Sequence, residues 1–151
     1  MLKETHWDNR FIELAKLIST WSKDPSTQVG AVIVDGKRIV SVGYNGFPMG
    51  TDDTESLYND RVEKYKRVVH AELNCILLAK TNVANFTMYV YPLPPCESCM
   101  KAIIQAGIKK VVTLEQKGET FERWKDSIST SVIMAVQANV KLLFLKEGGF
   151  S

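Results

Sequence analysis

Two short stretches of the chain carry residues of the types that do chemistry. "VVHAELNC" (68–75) sets His70, Glu72 and Cys75 in an otherwise apolar segment, and "PLPPCESCM" (92–100) holds Cys96 and Cys99. A C-x-x-C pair whose second cysteine falls in the first turn of a helix brings both sulfurs to one side. The positive end of that helix favours the thiolate form. Thiolates bind zinc, and a histidine nitrogen completes a set of three protein ligands. Three ligands leave one tetrahedral position open to water, the arrangement of a catalytic rather than a structural metal site. His70, Cys96 and Cys99 are therefore the expected ligands of one zinc ion per subunit.

Glu72 follows His70 by two positions, beside the metal but not on it. Two thiolates cancel the formal charge of zinc, so bound water benefits from a nearby base. A carboxylate placed there can take a proton and later deliver it, as general base and then acid. A lone glutamate on a helix would read as solvent-facing; beside His70 and upstream of the cysteine pair, that reading weakens. Cys75 lies five residues from His70, about 140° around a helix, so it reads as core packing. His6 is the only other histidine, and nothing around it has ligand spacing.

These groups need a scaffold. At 151 residues the chain suits one domain, spanning 1–151, with a core that needs no disulfides. Hydrophobic residues make up 45% and charged residues 24%, which excludes a disordered or fibrous chain. The net charge of +2 lacks the basic bias of a nucleic-acid binder. "RVEKYKR" (61–67) reads as a solvated helix face, with anion contact the lesser alternative. No apolar run approaches the roughly 20 residues that cross a bilayer. The polar opening "MLKETHWDNR" has no signal-peptide core, so the expected setting is cytoplasmic, soluble and thiol-reducing.

Hydrophobic periodicity predicts a first helix with Phe11, Leu14, Ala15, Ile18 and Trp21 on one stripe, ended by "KDPS". "VGAVIV" (29–34) and "RIVSVGY" (38–44), separated by "DGK", predict a hairpin. Turn chemistry at "NGFPMG" (45–50) leads into a polar segment reaching about residue 60. Beyond it, helices are predicted over 71–80 and 97–106, and strands over 87–91, 110–114 and 140–145. A long amphipathic helix carrying Phe121, Trp124, Ile128, Val132 and Val136 precedes the last strand. This alternation implies an α/β fold, a three-layer α-β-α sandwich around a five-stranded mixed sheet whose first two strands are antiparallel.

The pieces together form H-x-E…P-C-x-x-C, a signature known from zinc nucleobase deaminases. "SKDPSTQVGAVIV", "GYNGFPMG", "HAELNCIL", "PPCESC" and "AGIKKVV" follow in the order of deoxycytidylate (dCMP) deaminases. The chain resembles that family, within the wider cytidine deaminase-like superfamily, over most of its length. The resemblance implies hydrolysis of dCMP to dUMP and ammonia, supplying dUMP for dTMP synthesis. It assigns His70, Cys96 and Cys99 to zinc, Glu72 to proton transfer, and the backbone of Ala71 to the pyrimidine carbonyl. Asn45 matches a sugar- and base-contacting asparagine, although a turn beside Gly46 accounts for it too. Lys23, Ser26 and Thr27 could bind the phosphate, or the two hydroxyls could serve turn or cap.

Lys117 falls where the family places phosphate contacts, but "EQKGETFERW" departs from its aromatic-rich pattern. The resemblance also implies a homohexamer activated by dCTP and inhibited by dTTP, with the effector near Asn45, Gly46 and Phe47. No nucleic-acid or membrane partner is expected. Rival readings are a related deaminase acting on a nucleoside, purine base, riboflavin precursor or RNA, a non-enzymatic zinc module, and a thiol–disulfide exchanger.

Overall fold

The computed structural model describes residues 5–147. Its first helix, α1 (His6–Ser19), starts at a capping box. Thr5 accepts from the Asp8 amide, and the Asp8 carboxylate accepts from the Thr5 amide. A hairpin of β1 (Gly30–Asp35) and β2 (Arg38–Tyr44) follows. Two short helices come next, α2 (Glu55–Asn59) and α3 (Arg61–Arg67), then α4 (Ala71–Leu78). β3 (Thr87–Tyr91), α5 (Glu97–Gln105), β4 (Lys110–Leu114), α6 (Gly118–Gln137) and β5 (Lys141–Leu145) complete the order.

The five strands form one sheet in the order β2-β1-β3-β4-β5. β1 is antiparallel to both neighbours, whereas β3, β4 and β5 run parallel. Helices cover both faces, which is why β1 is apolar at consecutive positions instead of alternating. On one face Ala31, Ile33, Met88, Val90 and Val111 pack against Ala71 and Cys75 of α4, Met100 and Ile103 of α5 and Ala135 of α6. On the other, Val32, Val34, Val112 and Leu143 pack against Phe11, Ile12 and Ala15 of α1. This is the expected three-layer arrangement.

Four expectations need correction. The first helix ends at Ser19, before "KDPS", because the Ser19 and Thr20 hydroxyls bond back to the carbonyls of Lys16 and Leu17, each at 2.6 Å. Trp21 therefore leaves the stripe and lies exposed, edge-on to Tyr44. The segment read as polar turn up to residue 60 contains α2, and α3 follows it, capped by the side chains of Thr54 and Asp60. On α3, Lys64 points inward and is buried, so "RVEKYKR" is not wholly a solvated face. On α6, Phe121 and Val136 are exposed, and the fully buried positions are Ser131 and Ala135. The apolar stripe of α6 is rotated relative to the sequence expectation because α5 supplies its contact surface.

Candidate active site

Two helix N-termini meet at the site. His70 is the N-cap of α4 and Cys96 the N-cap of α5, neither using its side chain to cap. Their side chains are thereby left free to face one another, and Cys99 joins them from the first turn of α5. His70 Nδ1 lies 3.2 Å from Cys99 Sγ and 3.6 Å from Cys96 Sγ. All three donor atoms fall within 4.8 Å of one another. Tetrahedral zinc, with bonds of about 2.0 Å to nitrogen and 2.3 Å to sulfur, separates such ligand atoms by about 3.5 Å. The donor set fits that ion in both kind and spacing.

The Cys99 thiol hydrogen-bonded to Cys96 holds Cys96 down to about 4, and Cys99 is itself pushed up. His70's own hydrogen bond to Cys96 pushes His70 up, against the opposing effect of its burial.

Glu72 stands in the first turn of α4 with 5% of its surface exposed. Burial pushes its carboxyl up to about 7, partly offset by its own backbone amide and by His70. Cys75 is fully buried, and burial drives its thiol up to about 12. It donates to the Ala31 carbonyl at 3.6 Å, on the core side of α4 and away from the cluster.

A cavity open to solvent lies over the cluster. His70, Ala71, Glu72 and Cys96 form its floor. One wall is Asp24, Ser26, Thr27, Val29 and Asn45; Lys64 and Tyr65 of α3, with Val68 just after it, form another. Leu93 and Pro94, with Arg123, Trp124, Ser127 and Ile128 of α6, complete the lining. Ser127 hydrogen-bonds to the Glu97 carboxylate at the start of α5, which holds this stretch of α6 over the cluster.

The structure thus gathers His70, Cys96, Cys99, Glu72, Ala71, Asn45, Ser26 and Thr27 around one space. It does not bring Lys23 or Lys117 there. Lys23 is exposed and paired with Asp53 at 2.6 Å. Lys117 precedes α6 and lines a separate depression with Gln116 and Thr120. Gly46 exchanges backbone hydrogen bonds with Val69, and Phe47 stacks on Tyr58 with ring centroids 4.0 Å apart.

The cationic lining residues are instead Lys64 and Arg123. Sequence reasoning missed both, since neither stands in a motif and each arrives on a helix from elsewhere in the chain. Asp24 was missed as well, although "DPST" is an Asx-turn signal.

Residues 5–115 match the family model of the cytidine and deoxycytidylate deaminase zinc-binding region. An uncharacterized deaminase of Aliivibrio fischeri is 45% identical over 139 residues, 92% of this chain and 93% of that protein. Human deoxycytidylate deaminase is 44% identical over 118 residues, 74% of this chain and 66% of the human protein's length. Among solved structures, the dCMP deaminase of cyanophage S-TIM5, crystallised with dCMP and dUMP, shares the fold. Its TM-score is 0.71 at 23% identity, covering 95% of this chain and all of that one. Signature residues brought together from two helix ends, a family model spanning most of the chain and a shared fold converge: the chain belongs to the cytidine and deoxycytidylate deaminase family.

Proposed function

We infer that the protein is a zinc-dependent hydrolase converting dCMP to dUMP and ammonia, which serves dTMP synthesis. The observation that carries this reading is a buried glutamate beside a His-Cys-Cys donor set, on the floor of an open cavity. Its relatives named for dCMP add the substrate class.

His70, Cys96 and Cys99 would hold zinc, which supplies the Lewis acidity that makes water nucleophilic near neutral pH. Glu72 takes a proton from the attacking water and passes it to N3 of the pyrimidine as the oxygen bonds to C4. Glu72 then takes the proton of the new C4 hydroxyl and hands it to the amino group, which leaves as ammonia while the C4 carbonyl forms. Ala71 occupies the first position of α4, where backbone N–H groups have no intrahelical acceptor, so its amide suits the pyrimidine carbonyl. The Asn45 side chain donates to the Thr27 carbonyl at 2.9 Å and accepts from the Val29 amide at 2.9 Å. Its second amide hydrogen remains for the sugar.

Ser26, Thr27 and Arg123 are the groups proposed to face the phosphate. Arg123 is exposed at the cavity edge and forms no ion pair among the described residues. Arg123→Ala is expected to raise KM for dCMP about tenfold, the worth of one charge-assisted hydrogen bond. Its kcat should change little, and its KM for deoxycytidine not at all. An equal loss on the nucleoside would remove Arg123 from phosphate recognition.

Ammonia release from dCMP, deoxycytidine, guanine and a riboflavin-type pyrimidine precursor tests the substrate. Turnover confined to one of the others would overturn the dCMP reading. Repeating the dCMP assay with dCTP and dTTP tests activation and inhibition through the Asn45–Phe47 loop; unchanged kinetics with both would remove regulation from the proposal. The exposed Leu73, Leu77 and Leu78 of α4 support assembly into a homo-oligomer, a hexamer by family resemblance. Sedimentation analysis checks this, with a monomer at micromolar concentration as the contrary result.

A further inference from the structure

One ion pair among the described residues is buried on both sides. Lys64 Nζ lies 3.1 Å from Asp24 Oδ1, and each side chain is 6% exposed. The desolvation of two such charges cancels much of their attraction, so stability alone is a weak reason for the pair. Its location supplies a better one, because it joins two lining segments of the cavity.

On the first wall, Asp24 Oδ1 also accepts from the amides of Ser26 at 2.8 Å and Thr27 at 3.1 Å, which builds the turn. The Asp24 amide donates to Ser22 Oγ, and Ser22 Oγ donates to the Asn45 carbonyl at 2.8 Å. Asn45 in turn bridges Thr27 and Val29. The wall from Asp24 to Asn45 is therefore one hydrogen-bonded unit, with the Asp24 carboxylate at its hub.

On the second wall, α3 makes its main packing contact with α2. The α2–α3 segment is otherwise held by the Phe47–Tyr58 stack, the Gly46–Val69 bridge and the exposed Lys23–Asp53 pair. Lys64 is the one buried charged side chain of α3, and it reaches Asp24.

We propose that Asp24 and Lys64 are positioning residues whose ion pair sets the spacing of the two cavity walls. The pair governs how tightly a pyrimidine nucleoside or nucleotide is held, and takes no part in proton transfer. This rests on the deaminase reading given above, and deepens it.

The test compares D24N, K64M and the double variant D24N/K64M in melting temperature, metal content and kinetics on dCMP and deoxycytidine. Each single change strands one buried charge and should lower the melting temperature; the double change removes both charges and should restore it. The asparagine can still accept from Ser26 and Thr27. In the double variant one zinc per chain should remain, KM should rise about tenfold on both substrates alike, and kcat should stay within about threefold.

A folded double variant with unchanged KM would overturn the inference. So would a rise on dCMP alone, which would make Lys64 a direct phosphate ligand, or a fall in kcat as large as the rise in KM. Failure of the double variant to fold would make the pair a folding element and overturn the inference equally. Wild-type protein that releases no ammonia from dCMP sinks the function reading instead, whereas wild-type turnover with indifferent variants sinks only the tie.

Discussion

Glu72→Gln is expected to lower kcat for dCMP by about 10²- to 10⁴-fold, the range by which a positioned general acid–base residue contributes. The amide keeps the size and shape of the carboxyl but cannot accept the proton from water or carry it to the ring. Zinc content should stay at one per chain, because the donor set is His70, Cys96 and Cys99 and does not include Glu72. The fold should also hold, since a neutral amide is cheaper to bury than a carboxylate at a site only 5% exposed. Metal analysis, a melting curve and steady-state kinetics on one preparation decide it. Turnover within tenfold of wild type would mean that another group moves the protons. Loss of the metal would mean that Glu72 is a ligand, and the proposed division of roles would fail.

Gly43→Ala is expected to cost much stability for a change of one methyl group. Gly43 lies on β2 with the backbone of α4 directly over it. A methyl group there would sit 2.6 Å from the Cys75 amide nitrogen and 2.7 Å from the Ala71 carbonyl oxygen. Both neighbours are main chain, so no side-chain rotation can relieve the clash, and α4 itself must move. Overpacking of this kind costs about 2–3 kcal/mol, which for a chain of this size lowers the melting temperature by roughly 6–10 °C. The loss should spread to the site, because the helix that moves carries His70 at its cap and Glu72 in its first turn. Weaker zinc retention under a chelator is therefore expected together with the lower melting temperature. A variant with wild-type stability and zinc affinity would show that β2 and α4 are less rigidly coupled than the structure has them.

Legibility in the sequence tracked how local each interaction is. The strands at 87–91 and 110–114 were readable to the residue, because apolar and β-branched runs bounded by turn residues leave little choice of state. The short helix α2 was missed because at five residues it is too short to show a helical period. For α3, read as a helix face, the start was in view as well, with Asp60 and Glu63 at capping-box spacing. The stripe of α6 was misplaced for a different reason. Its partner surface on α5 is not encoded within α6, so periodicity could indicate a helix but not which face would be covered.

The same division separates the parts of the site. The donor set and the glutamate beside it were determined by sequence alone, since H-x-E and C-x-x-C place their groups through the local geometry of two helix starts. That Cys75 belongs to the core followed from helical rotation in the same way. Which cations stand over the substrate space was decided only by tertiary structure. Lys23 and Lys117 were near the right loops in the chain, yet one pairs with Asp53 and the other lines a separate depression. Arg123 and Lys64 line the cavity because α6 is held over α5 and α3 is held against Asp24. Side chains that meet through the packing of whole elements leave no spacing to read, whereas side chains that meet within one turn do.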